Sequence, residues 1–176
     1  MTGASAREVW VLRHAKAVPH RSDDHERALT ERGKRQCAEV AAHLVDIGCA
    51  SDVPATVLVS SATRARETAE LVLCGLDSRV EVEVRDALYR ADADDVIEML
   101  REVGADVPSV MVVGHNPTLE ELVWLLLDPD DDKGRRAAER GLSTGALAVL
   151  SVDAPDWSTL TAGSGRLRLL YSPKAR

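Results

Sequence analysis

The chain has 176 residues, 45% of them apolar, and 22 Lys and Arg against 29 Asp and Glu give a formal charge of −7. That length suits a single domain over residues 1–176 with a core of its own. The negative total argues against nucleic acid as a partner, because such binding needs many phosphates neutralised by Lys and Arg. Aromatics make up only 3%, with no Phe, which predicts an aliphatic core and removes the stacking platforms of single-strand binders.

The first apolar run, Val9-Trp10-Val11-Leu12, reads as a strand buried on both faces of a parallel sheet. Thr30 then caps a helix whose apolar side, Cys37, Val40, Ala41 and Leu44, follows helical spacing. Thr56-Val57-Leu58-Val59 is a second buried strand, and Ser60 or Ser61 opens a helix through about Leu73. Val80 to Val84 alternates with Glu81 and Glu83, the pattern of a half-exposed strand near an edge. Asp92 caps the next helix, with Asp94 and Asp95 in its first turn and Val96, Met99, Leu100 and Val103 facing inward. Val110 to Val113 is another buried strand. Asn116-Pro117 is a cap and first-turn pair for a helix carrying Leu119, Leu122, Val123 and Leu126. Asp128 to Gly134 reads as an acidic, solvated loop. Ala146–Val152 and Arg166–Leu170 close the fold as strands, the second like an edge, with turns at Asp153–Asp156 and Gly163–Gly165. The alternation of strands and helices is that of an α/β fold.

The three cysteines, Cys37, Cys49 and Cys74, form no CxxC pair and are odd in number, so they read as buried thiols in a reducing compartment. Met1–Arg7 carries no apolar leader, and the apolar stretches are too short to span a bilayer. A cytoplasmic protein with no membrane partner is expected.

In open α/β sheets, ligands bind beyond the carboxyl ends of the strands. Three strand ends here run into Arg13-His14-Ala15-Lys16, Ser60-Ser61-Ala62-Thr63-Arg64 and Gly114-His115-Asn116. Two arginines and two histidines thus converge, with no carboxylate among them. Guanidiniums are almost never buried without a partner, and their forks match phosphate bidentately. Helix N-termini after Ser60 and Asn116 add N–H donors at the same edge. No Walker-type or dinucleotide glycine loop is present, and no H-x-H, H-x-x-x-H or H-x-E spacing supports a metal site. Such a pocket suits either binding of phosphate or its transfer; for transfer, one imidazole attacks and the cations surround the phosphoryl oxygens without a metal or cofactor. Between Trp10 and Ala38 seven basic residues stand against four acids, so the negative total hides a basic pocket.

Four segments carry a family resemblance: Leu12-Arg13-His14-Ala15-Lys16-Ala17, Leu29-Thr30-Glu31-Arg32-Gly33, Ser60 to Glu70 with Arg64 inside it, and Val113-Gly114-His115-Asn116-Pro117. Together they resemble the histidine phosphatase superfamily, specifically its small SixA-like phosphohistidine phosphatases. Ala15 stands where most of the superfamily has glycine, and Ser61 where many members have proline. The resemblance implies a three-layer α/β/α, phosphoglycerate mutase-like fold with a mostly parallel central sheet and an antiparallel edge strand. It implies His14 as the phosphoryl-accepting nucleophile, Arg13 and Arg64 as the phosphate clamp and His115 as the second pocket histidine. Lys16, Asn116 and Ser60 are the expected substrate-binding residues.

The leaving group decides the substrate. An alkoxide needs a proton donor, whereas imidazole, with a conjugate acid near about 6.5, can leave already protonated. Asp86 and the loop acids Asp23, Asp24 and Glu26 are the candidate donors. His20, Arg21 and His25 lie in the loop before Thr30 and are candidates for the pocket mouth against a reading as solvated loop residues; Tyr89 reads as a partly buried helix or strand anchor, with the pocket flank as the alternative, and His43 as a surface or packing residue. The expected partner is a phosphohistidine-bearing protein. The alternatives are a small phosphorylated metabolite and a non-catalytic phosphate-binding module.

Overall fold

The computed structural model describes residues 7–19, 23–54, 56–76 and 80–174. His20 and Arg21 lie outside the described residues. The buried runs form β1 (Arg7–Arg13), β2 (Thr56–Ser60), β3 (Glu81–Arg85), β4 (Ser109–Gly114), β5 (Leu147–Val152) and β6 (Gly165–Tyr171). They make one sheet in the order β3-β2-β4-β1-β5-β6. β1, β2, β3 and β4 pair in parallel, while β5 runs antiparallel to β1 and β6 antiparallel to β5. β1 and β4 carry apolar residues at both parities, as strands covered on two faces must.

Two separate apolar clusters show that both faces are covered. Val9, Val11, Leu58, Val110, Val112 and Leu150 pack against α3 (Ala93–Arg101), α4 (Thr118–Leu126) and the end of α5 (Asp132–Ala138). Trp10, Leu12, Val57, Val59, Met111 and Val149 pack against α1 (Glu31–Asp46) and α2 (Thr63–Gly75). Successive strand residues belong to opposite clusters, the direct outcome of the two-residue period of a strand. The architecture is therefore three layers, α/β/α, as expected. Although the core is mainly Val, Leu and Ala, Trp10 and Trp157 are among its largest fully buried side chains. None of the helices is long and apolar enough to cross a membrane, among the described residues.

Several local features follow the sequence pattern. Thr30 Oγ1 accepts from the Gly33 N–H at the start of α1, and Asp92 and Asp95 form a reciprocal capping box at α3. Others differ. Ser60 is the last residue of β2 and Ser61 lies in the turn, so α2 begins at Thr63 after Ala62 without a side-chain cap. Pro117 takes the cap position of α4, and Asn116 turns its amide elsewhere. The acidic segment is only partly a loop. Asp131 accepts from Gly134 N–H and Leu167 N–H, so this acid caps α5 and ties it to β6. On β3, Val82 and Val84 are exposed (45% and 53%). They pair with Val57 and Val59, but this is the sheet's outer edge and α2 lies over the inner strands. Cys37 is buried, yet Cys74 is exposed on α2, against the expectation of three buried thiols; all three are free.

Gly33 shows how closely the first helix is seated under the loop after β1. A Cβ there would stand 2.2 Å from the Lys16 carbonyl oxygen, which also accepts from Thr30 N–H and Thr30 Oγ1. Gly33→Ala must push backbone against backbone. It is expected to lower stability by about 1–3 kcal/mol, seen as a lower urea midpoint with an unchanged slope.

Candidate active site

His14 is the first residue beyond β1. Its N–H donates to Gly114 O at 3.0 Å and its carbonyl accepts from Gly145 N–H at 3.1 Å, so its backbone is pinned between the end of β4 and the entry to β5. Ala15 N–H donates to Thr68 Oγ1 (3.0 Å), whose hydroxyl donates to Arg64 O (2.6 Å). Lys16 N–H donates to Gln36 Oε1 (2.8 Å). Helices α1 and α2 thus each hold the loop that carries the histidine.

Ring chemistry follows from hydrogen bonds. His14 Nδ1 lies 2.8 Å from Ala15 O. A carbonyl only accepts, so the ring proton is on Nδ1 and Nε2 keeps its lone pair. His115, just past β4, has Nε2 at 2.8 Å from Ser60 Oγ. Ser60 Oγ also accepts from Ala62 N–H at 3.4 Å. His115 Nδ1 is a buried atom with no partner. The two rings are 5.2 Å apart between centroids.

Both arginines are anchored at one end. Arg13 Nη1 donates to Leu142 O (2.6 Å). Arg64, 5% exposed, donates from Nη1 to Asp24 O (2.6 Å) and from Nη2 to Asp24 Oδ2 (2.9 Å). The expectation of a cluster without a carboxylate is corrected here: the chain returns an acid, Asp24, to the rim because a guanidinium buried this deeply needs a counter-charge. Asp24 also accepts from Arg27 (2.7 Å) and Tyr89 OH (2.8 Å). Arg27, Tyr89 and Arg64 together hold its carboxyl far below the usual carboxylate range. Anchoring leaves Arg13 Nε and Arg64 Nε buried and unpartnered. With His115 Nδ1 and Asn116 Oδ1, they account for four of the five such side-chain atoms among the described residues. Buried polar atoms without partners are costly, and the charges of Arg13 and Arg64 both act on His14 and His115.

Burial, with the nearby Arg64 and Arg13 charges working the same way, pushes His14 down to about 4 even though its bond to Ala15 O works upward. Burial also pushes His115 down to about 3, helped by His14 and Arg64. Both rings are therefore uncharged at neutral pH.

The remaining expected residues separate clearly. Ser60 meets His115. Asn116 Nδ2 donates to Leu142 O (3.0 Å), the same carbonyl that holds Arg13. Lys16 has a pinned backbone and an exposed side chain. His25 is at the mouth, with Nε2 2.9 Å from Ser61 Oγ and Nδ1 3.0 Å from Glu26 Oε1. Asp23 accepts from His25 N–H. Tyr89 packs edge-on to His25 and to His115. Asp86 is exposed at the start of a 3₁₀ turn (Asp86–Tyr89). His43 stacks on Tyr171 at 3.8 Å, a packing role. Thr68, Gln36 and the Leu142 carbonyl support the site without being among the expected residues. Thr68 stands one helical turn after Arg64, a spacing that could have flagged it; a backbone carbonyl leaves no mark in a sequence. Among the described residues, no three His, Cys, Asp or Glu side chains are grouped to hold a metal ion.

Residues 9–108 match the family model of the histidine phosphatase superfamily (branch 1). An uncharacterized protein of Mycobacterium leprae, ML1117, is 33% identical over 172 residues, covering 93% of this chain and all of that one. Rv1276c of Mycobacterium tuberculosis, also uncharacterized, is 35% identical over 169 residues, with the same coverage. Among solved structures, a Nakamurella multipartitia protein provisionally named phosphohistidine phosphatase SixA superposes with a TM-score of 0.80 at 31% identity, over 98% of this chain and 99% of that one. The protein histidine phosphatase SixA complexed with tungstate gives 0.76 at 27% identity, over 94% and 97%.

The depressed ring values make a direct prediction. In an NMR titration, the ring signals of His14 and His115 are expected to stay those of neutral imidazole from pH 8 down to about pH 5.5. An unfolded chain would protonate these rings near about 6.5. Folding is therefore expected to lose stability as pH falls below that value, down to about 4 where His14 also protonates in the folded chain.

Proposed function

The chain belongs to the histidine phosphatase superfamily (branch 1), and from that premise we propose that it is a metal-independent phosphatase acting on phosphohistidine in a protein, through a phosphoryl intermediate on His14. His14 Nε2 carries the lone pair because Ala15 O holds the Nδ1 proton. Arg64, anchored through both terminal nitrogens, and Arg13, anchored through Nη1, offer their remaining N–H groups to the phosphoryl oxygens, with His115 beside them. In the first step the Nε2–P bond forms as the substrate's P–N bond breaks. The departing imidazole leaves neutral with the proton it already carried. In the second, water attacks phosphorus and the Nε2–P bond breaks, giving inorganic phosphate that retains both protons of the water. Because Ala15 O keeps the Nδ1 proton in place throughout, His14 is itself expelled as a neutral ring.

The observation that carries the substrate class is the state of Asp24. It is the carboxylate bonded to the clamp, and Arg27, Tyr89 and Arg64 keep it ionised as an acceptor. Glu120, the acid beside Arg13, accepts from Leu142 N–H. Neither is set to hand a proton to an alkoxide, which an ester requires and a protonated imidazole does not. Lys16, exposed beside His14, is assigned to the phosphoprotein side of the mouth.

His14→Ala is expected to reduce phosphohistidine turnover by roughly 10³-fold or more and to abolish an alkali-stable, acid-labile phosphoryl label on the enzyme. Full activity in that variant would refute the nucleophile. Alkyl phosphates, offered in the same assay, are expected to turn over far more slowly than phosphohistidine. Prompt turnover of the esters alone would move the substrate to small metabolites. Adding a chelator is expected to leave the rate unchanged.

A further inference from the structure

From the mouth inward, His25, Tyr89, His115 and His14 form a file of rings, with centroids 4.9, 5.7 and 5.2 Å apart. The His25 side chain is 34% exposed, Tyr89 and His115 are half-buried, and His14 at the inner end is 9% exposed. In a chain with two tyrosines and no Phe, one tyrosine is placed at this opening. The polar atoms of the outer two rings are already engaged. Ser61 Oγ and Glu26 Oε1 hold the His25 nitrogens, and Asp24 takes the Tyr89 hydroxyl. What these rings present to a ligand is therefore π surface and C–H edge, suited to a planar ring in offset or edge-on packing.

The inner end, among His14, Arg13, Arg64 and His115, has the donors for one phosphoryl group. Whatever that group is attached to must extend toward the exposed end, past Tyr89. We propose that Tyr89, with His25 beside it, forms the subsite for the imidazole of the leaving histidine. Leaving-group selection then comes from ring recognition, at a site whose nearest acids are committed as acceptors. This subsite rests on the phosphohistidine reading above.

The test compares phosphohistidine with phosphoramidate, which has the same P–N bond but no ring. The readout is the ratio of their kcat/KM values. Tyr89→Leu is expected to lower that ratio roughly three- to tenfold, and Tyr89→Phe, which removes only the hydroxyl bonded to Asp24, to keep it within about twofold. His25→Leu, a change at a half-buried position nearer the mouth, is expected to lower the ratio by a smaller factor; it supplies the readout should the Tyr89→Leu protein fail to fold. An unchanged ratio in the leucine variants, or an equal fall in Tyr89→Phe and Tyr89→Leu, would overturn the subsite. Failure of the phosphohistidine reading shows separately, as a wild-type enzyme that hydrolyses phosphoramidate and ignores phosphohistidine.

Discussion

A buried guanidinium must have its charge answered, and at Arg64 the answer is Asp24. Two hydrogen bonds, one to the carboxylate and one to the backbone carbonyl of the same residue, fix the orientation of the side chain. They also fold the loop around residues 23–27 back over the start of α2, where Thr63 N–H donates to His25 O. Removing that acid would leave a desolvated cation beside two others, a far larger cost than a surface ion pair is worth. The same bonds decide what stays available. With both terminal nitrogens of Arg64 engaged, the unpartnered donor is Nε; Arg13, tied through Nη1 to Leu142 O, likewise leaves its Nε buried without a partner.

This cationic surrounding reaches the histidines. Imidazoles next to fixed positive charge and away from water resist protonation, and both rings here do so. A neutral ring still has two tautomers, and only neighbouring hydrogen bonds choose between them. Ala15 O chooses for His14, leaving the Nε2 lone pair free, while Ser60 Oγ engages His115 Nε2. The sheet makes this combination reachable: β2, β4 and β1 are neighbours in parallel, so Ser60, His115 and His14 leave the sheet at one edge despite their distance in sequence.

Much of this arrangement is legible in the order of the residues. The three continuous apolar runs end in Arg13-His14, Ser60 to Arg64 and Gly114-His115, and a parallel sheet has to bring those ends together. The caps at Thr30 and Asp92 are local chemistry, readable from a few residues. What escapes the sequence depends on contacts across the fold. Asp24 is one acid among several in a polar loop until Arg64 arrives beneath it. Asp131 looks like surface charge because its partner Leu167 lies 36 residues away. Helix α5, seven residues long, is too short to display a period. Asn116 and Ser60 are typical helix-starting residues, but at this edge the Leu142 carbonyl and His115 Nε2 engage their side chains instead.

The formal charge of −7 and a cluster of buried cations are compatible because the two act at different ranges. Net charge works through solvent, where salt screens it beyond about 8–10 Å. The site works through donors buried out of that screening, at hydrogen-bond distance. An acidic exterior opposes extended polyanions without cancelling the local charge of Arg13 and Arg64. Under the phosphohistidine reading proposed above, a leaving group that brings its own proton needs no acid in this pocket.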